Sequence, residues 1–245
     1  RDVFPVLWTL YRLSLQAEAA GGAVHVVLGN HEQYLLHSNI SRANPEHLYT
    51  LGRLGGPEAA FATDTLIGGW LRRMPVALRL GRVLFVHGGV STATVDAGMS
   101  VESLNTAITE YWPRASKGVK HSQALDAVFG FNGVTQYRGY LMPLEGQYPL
   151  ATQAEIDRVA KHLDVDLVVV AHTPVKTVSR LHDGKVYAVN VNSDSAKSEV
   201  LVFENGVPGV VDIGVPRFLD RPEQARFRDL RLGKAEDRRL LGDML

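Results

Sequence analysis

Val24-His25-Val26-Val27-Leu28 runs directly into Gly29-Asn30-His31-Glu32, so a mostly apolar stretch of strand length delivers a cluster of polar, chemically capable side chains. The arrangement returns twice. Val83-Leu84-Phe85-Val86 leads into His87-Gly88-Gly89, and Leu167-Val168-Val169-Val170 leads into Ala171-His172-Thr173-Pro174. Short, continuous apolar runs are how strands buried on both faces read, and in open α/β sheets such strands bring their carboxyl ends to one crevice. Asn30, His87 and His172 are therefore expected to converge. Neutral imidazoles and an amide oxygen suit a borderline divalent metal, and a histidine beside such a site can exchange a proton near neutral pH. A lone histidine at a strand end is more often a hydrogen-bonded structural residue; the threefold recurrence favours ligation.

The rest of the composition narrows the field. A chain of 245 residues is long enough for a substantial core. Lys plus Arg and Asp plus Glu are equal at 26 each, so no global field favours nucleic acid or an anionic membrane, and an anionic substrate must be held locally. There is no cysteine, which excludes a thiolate nucleophile, a disulfide frame and a thiolate zinc site within the chain. No apolar run approaches the roughly 20 residues needed to span a bilayer. The expectation is a soluble protein without membrane insertion, periplasmic or cytoplasmic.

Patterning supplies the remaining elements. Residues 2 to 20 read as an amphipathic helix stopped by Gly21-Gly22, and residues 23 to 28 as a buried strand. Residues 31 to 70 are helical by pattern, with breaks at Asn44-Pro45 and Gly55-Gly56-Pro57. A tight hairpin is expected about Gly81-Arg82, a helix from Ser100 to Trp112, and long loops with short helices between Arg114 and Leu150. Thr152-Gln153-Ala154-Glu155 has the form of a capping box opening a helix. Two further hairpins turn at His182-Asp183-Gly184 and at Asn205-Gly206. The domain reading is a catalytic domain over residues 1–215 and a charged extension over 216–245.

Gly29-Asn30-His31-Glu32, Phe85-Val86-His87-Gly88-Gly89, Tyr137-Arg138-Gly139-Tyr140 and Ala171-His172-Thr173-Pro174, in that order, resemble motifs of the calcineurin-like metallophosphoesterases. The tight GNHE and HGG forms point to the phosphoprotein phosphatase branch, and the Tyr-Arg-Gly-Tyr and His-Thr-Pro segments to the bacterial Shewanella-like protein phosphatases. The resemblance implies an α/β (α+β) fold of the metallophosphatase type, a β-sandwich flanked by helices with the site at strand carboxyl ends. It implies that Asn30, His87 and His172 bind one of two divalent metals, Mn2+ as first expectation with an Fe/Zn pair as alternative. His31 would protonate the leaving oxygen and Arg138 would clamp the phosphate, a role suited to its planar fork of donors. The implied activity is phosphomonoester hydrolysis by a metal-bridging hydroxide, on a phosphorylated protein (phosphotyrosine or phosphoserine/threonine) or a small phosphomonoester.

The chain departs from the pattern in three places. The Asp-x-His and Gly-Asp-x-x-Asp-Arg-Gly motifs that serve the first metal do not occur, and Arg1-Asp2-Val3-Phe4 lines up just after the second of them. Both are expected upstream in the gene, and without them activity would be weak. Ala171 replaces a glycine before the late histidine, and Val189-Asn190-Val191-Asn192 stands where an Asp-Thr-Gly-like end is common. The competing readings are a pseudophosphatase binding module and a nucleotide or dinucleotide phosphohydrolase of the same superfamily. A serine esterase is set aside because the chain has no Gly-x-Ser-x-Gly elbow. His25, His37, His47, His121, His162 and His182 read as structural, and Glu32 as an orienting residue of the Asn30 loop.

Overall fold

The computed structural model describes residues 3–41, 43, 45–114, 122–191 and 198–214. The charged extension, His121 and Asn192 lie outside the described residues. The chain divides into two compact units, one taking the residues up to Val24 and Tyr34–Gly69, the other His25–Gln33 and Trp70–Gly214.

Helices open the chain: α1 (Val3–Ala19), α2 (Asn30–Leu36), α3 (Pro45–Arg53), α4 (Pro57–Ala60) and α5 (Leu66–Leu71). Gly21, at φ 78°, takes the left-handed conformation in which an L side chain is strained, and α1 has ended by then. The breaks before α3 and α4 fall at the expected Pro and Gly positions.

The second unit is built on a mixed sheet of five strands: β1 (Ala77–Leu80), β2 (Val83–Val86), β3 (Leu167–Val170), β4 (Ser179–Leu181) and β5 (Val186–Ala188), in the order β1-β2-β3-β5-β4. The central β2, β3 and β5 are parallel, and both edge strands are antiparallel hairpin partners. β1 and β2 are joined by a two-residue loop whose first residue, Gly81, takes φ 59°, the place where hairpin turns of the II′ kind need a positive φ. Leu84, Val86, Val168, Val170, Val186 and Ala188 are almost wholly buried, which is why these strands carry no polar alternation.

Between β2 and β3 lie α6 (Thr92–Asp96), α7 (Val101–Tyr111), α8 (Gln123–Phe129) and α9 (Gln153–Leu163). The α9 box is reciprocal: Thr152 N–H donates to the Glu155 carboxylate (2.8 Å) and Glu155 N–H to the Thr152 hydroxyl (3.3 Å). Its apolar face, Ile156, Val159, Ala160 and Leu163, is buried. A separate ribbon, β6 (Glu199–Glu204) and β7 (Val207–Asp212), turns at Asn205 (φ 52°) and Gly206 (φ 80°) and sets Phe203 edge-on to Phe85 of β2 at 6.2 Å. This α/β arrangement, a mixed sheet with flanking helices and a second two-stranded layer, is the fold class the sequence implies.

One expected element is different. Residues 23–28 form no strand; their backbone joins the described structure through Leu28 N–H, which donates to Pro75 O at 2.8 Å. Of this run only Leu28 is fully buried; Val24, Val26 and Val27 are half-buried, and Ala23 and His25 are exposed. Asn30 thus follows an irregular segment and starts α2, whereas His87 and His172 follow strands.

Candidate metal centre

The parallel ladder places both histidines. Val86 pairs with Val170, and one step further Ala171 N–H donates to His87 O at 2.9 Å, so the two strands end level. His172 then adopts φ 52°, a left-handed conformation uncommon for a residue with a side chain and often found at functional sites. Its ring turns beside that of His87, centroids 4.8 Å apart, with His172 Nδ1 3.0 Å from His87 Nε2. His87 Nε2 also lies 3.0 Å from Asn30 Oδ1.

Asn30 reaches this point because Gly29 comes very close to His87. A Cβ at Gly29 would lie 2.7 Å from His87 Cε1 and 2.9 Å from Glu32 Oε2, so no other residue fits without displacing the ring. Glu32 accepts from Gly29 N–H at 3.0 Å and holds the loop, as expected of it. Asn30 is only 5% exposed, so both ends of its amide need partners. Its Nδ2 donates to Gln136 Oε1 at 3.3 Å.

Arg138 is next to the histidines. Its Nη1 donates to His172 O (3.1 Å) and to Thr173 Oγ1 (3.3 Å), and its backbone N–H donates to the Tyr148 hydroxyl (3.1 Å). Tyr137 packs on Tyr148 and Tyr140 at 4.7 and 5.6 Å, and Tyr140 donates to Val90 O at 2.8 Å just after the His-Gly-Gly turn. Gly88 must be glycine for the same reason as Gly29: a Cβ there would lie 2.8 Å from Tyr137 O. His31 is exposed at the first turn of α2, close enough for its charge to act on both imidazoles.

Electrostatics favour neutral ligands. Burial first, then the charges of His31 and Arg138, push His87 down to about 4. Burial, then His87, Arg138 and His31, push His172 down to about 3, against a bond to the Gln136 backbone that acts the other way. At neutral pH both rings keep a free lone pair, the state a metal requires. The spacing fits as well. A six-coordinate ion with bonds of about 2.1 Å sets neighbouring donors about 3.0 Å apart, the separation seen on both sides of His87 Nε2. No group of three His, Asp or Glu side chains able to hold a metal occurs among the described residues, so the candidate set is two imidazoles and one amide.

All five sequence-derived candidates fall in the second unit, and His162 and His182 bond to the carbonyls of Met99 and Tyr140 (2.9 Å each), the structural role expected of them. Sequence reasoning missed Gln136, Thr173 and Tyr148. Thr173 stands inside a motif and was open to notice, whereas nothing marks Gln136 or Tyr148 in one dimension.

The profile of the calcineurin-like phosphoesterases matches residues 5–176, and the chain belongs to that family. Among solved structures it is similar to the cold-active protein-tyrosine phosphatase of the psychrophile Shewanella sp., with 30% identity and a TM-score of 0.76 over 88% of this chain. A point variant described as a cold-active protein tyrosine phosphatase matches at 29% identity with the same TM-score and 88% coverage of this chain. In both cases the match covers 66% of the other chain, just under two thirds of its length. No curated protein matches significantly in sequence.

Proposed function

We propose that the chain carries part of the site of a metal-dependent phosphomonoesterase that acts on phosphorylated protein, phosphotyrosine first. The observation that carries the reading is the meeting of Asn30 Oδ1, His87 Nε2 and His172 Nδ1 at 3.0 Å spacings, with the Arg138 guanidinium on the backbone of the last. Kinship with the calcineurin-like phosphoesterases supports phosphoester hydrolysis, and likeness to the cold-active phosphatase supports the tyrosine preference.

Asn30, His87 and His172 would hold one divalent cation, Mn2+ by expectation. Divalent ions at such a site supply Lewis-acid stabilisation of phosphoryl oxygens and a water acidic enough to be a nucleophile near neutral pH. Arg138 binds two oxygens of the phosphoryl group through its remaining N–H donors, while Nη1, held on His172 O and Thr173 Oγ1, fixes the plane of the guanidinium. His31 faces solvent where a leaving group departs, and its imidazolium gives a proton to the phenoxide or alkoxide oxygen.

The test is Mn2+-dependent hydrolysis of p-nitrophenyl phosphate and of a phosphotyrosine peptide by the full-length gene product, with His31→Ala and Arg138→Ala beside it. His31→Ala should lower kcat roughly a hundred- to ten-thousand-fold. Arg138→Ala should cost on the order of a hundredfold or more in kcat/KM. A folded protein inactive with every divalent metal would overturn the reading.

A further inference from the structure

We propose that Gln136 is a positioning residue for the metal ligands, holding the Asn30 amide with its oxygen toward the imidazoles and thereby raising the affinity of the site for a divalent cation. The inference rests on reading Asn30, His87 and His172 as ligands.

An asparagine amide has two ends of nearly the same size and opposite chemistry. The oxygen can ligate a cation; the NH2 group, a donor without a free lone pair, cannot. Asn30 is buried, so its orientation is set by what meets each end rather than by water. The oxygen meets His87 Nε2 at 3.0 Å and the nitrogen meets Gln136 Oε1 at 3.3 Å. Turning the amide over would set the Asn30 oxygen against the Gln136 oxygen, two acceptors face to face, and would point NH2 at the cation position. Gln136 Oε1 therefore selects the ligating orientation.

The same residue touches a second ligand. The backbone of Gln136 hydrogen-bonds the His172 ring, and such outer contacts fix which imidazole nitrogen is left for the metal. The turn that carries Gln136 is well braced. Gln136 N–H and Tyr137 N–H both donate to Gly133 O at 2.9 Å, and a Cβ at Gly133 would lie 2.7 Å from Val128 O. The Thr135 hydroxyl donates to Val128 O at 2.6 Å. Position 136 is thus anchored on the end of α8 while it contacts two of the three ligands, and Arg138 follows two residues later.

Calorimetric titration of the full-length protein with Mn2+, after removal of bound metal, tests the role without reference to turnover. Gln136→Leu, which keeps the backbone carbonyl but loses the acceptor, should weaken Mn2+ binding roughly 10- to 100-fold. Gln136→Glu can only accept at that position and should bind within a few-fold of wild type. In an Asn30→Asp background both ends of the side chain are oxygens, so adding Gln136→Leu should cost little more. Thermal melts of the metal-free variants check that all are folded. If wild type binds Mn2+ and Gln136→Leu binds equally well, or if the loss is the same in both backgrounds, the positioning role is wrong while the ligand reading stands. If folded wild type binds no Mn2+ at all, the ligand reading falls and this role falls with it.

Discussion

The two ends of the β2–β3 pair are built from opposite materials. At the amino end Arg82 forks onto Asp166 (Nε to Oδ2 2.6 Å, Nη2 to Oδ1 2.8 Å) and reaches Asp164 at 2.8 Å, with Arg79 adding a longer contact to Asp164. These are complementary full charges in water, the Arg82 and Asp166 side chains being 54% and 68% exposed. At the carboxyl end, about four residues along the same strands, two neutral imidazoles and an amide meet half-buried or buried, with Arg138 beside them as a like charge for any protonated ring. The amino end is satisfied within the protein. The carboxyl end instead brings together the lone pairs of neutral groups beside a single guanidinium, an arrangement suited to binding a cation and an anion.

The contrast makes predictions of decreasing size. Removing a ligand should have the largest effect: His87→Ala, which takes away the nitrogen shared by both 3.0 Å contacts, should abolish measurable Mn2+ binding and reduce p-nitrophenyl phosphate turnover by at least roughly a thousandfold. Retention of near-wild-type turnover would show that the carboxyl end is not the reactive one.

The next effect lies on the pH axis. His87 and His172 sit at about 4 and about 3 in the folded protein and near the ordinary value of about 6.5 in the unfolded chain. Between those limits the unfolded chain binds more protons, so stability of the metal-free protein falls as pH drops from about 6.5, and the loss levels off below about 3. Asp166 runs on a different scale. Its carboxyl is held below the usual range by hydrogen bonds from Arg82, so its contribution is intact down to its ordinary pKa and is lost only as pH falls further. Of the two ends, it is therefore the histidine end that melting temperatures between pH 7.5 and 5 should report. A flat profile there would remove the claim that the rings are held neutral by the fold.

The smallest effect belongs to the amino end. Arg82→Ala should leave kcat unchanged and lower the melting temperature only slightly, a difference that shrinks in high salt, because exposed ion pairs are screened. A large loss of stability would mean that the charged end does more than close the strands.

The legible part of this molecule is the part with a one-dimensional signature. Parallel buried strands write themselves as Leu167–Val170 and Val83–Val86, capping boxes as Thr152 with Glu155, and primed turns as Asn205-Gly206, because each depends on residues within a few positions of one another. The run from Val24 to Leu28 misled for a physical reason: hydrophobicity records removal from water, while a strand also needs a neighbour to accept its N–H groups. Among the described residues that partner is reduced to Pro75.

The sequence alone therefore nominated groups for chemistry: Asn30, His87 and His172 because they follow apolar runs, and His31 and Arg138 because their motifs resemble those of a family. Tertiary structure decided what they could do together. Only the β2–β3 register sets His87 level with Ala171, only the missing side chain at Gly29 lets Asn30 approach the ring, and only a turn 106 residues away supplies the Gln136 oxygen that meets its amide. Distances across the chain are fixed by packing and hydrogen-bond pairing between segments, and no local pattern encodes them.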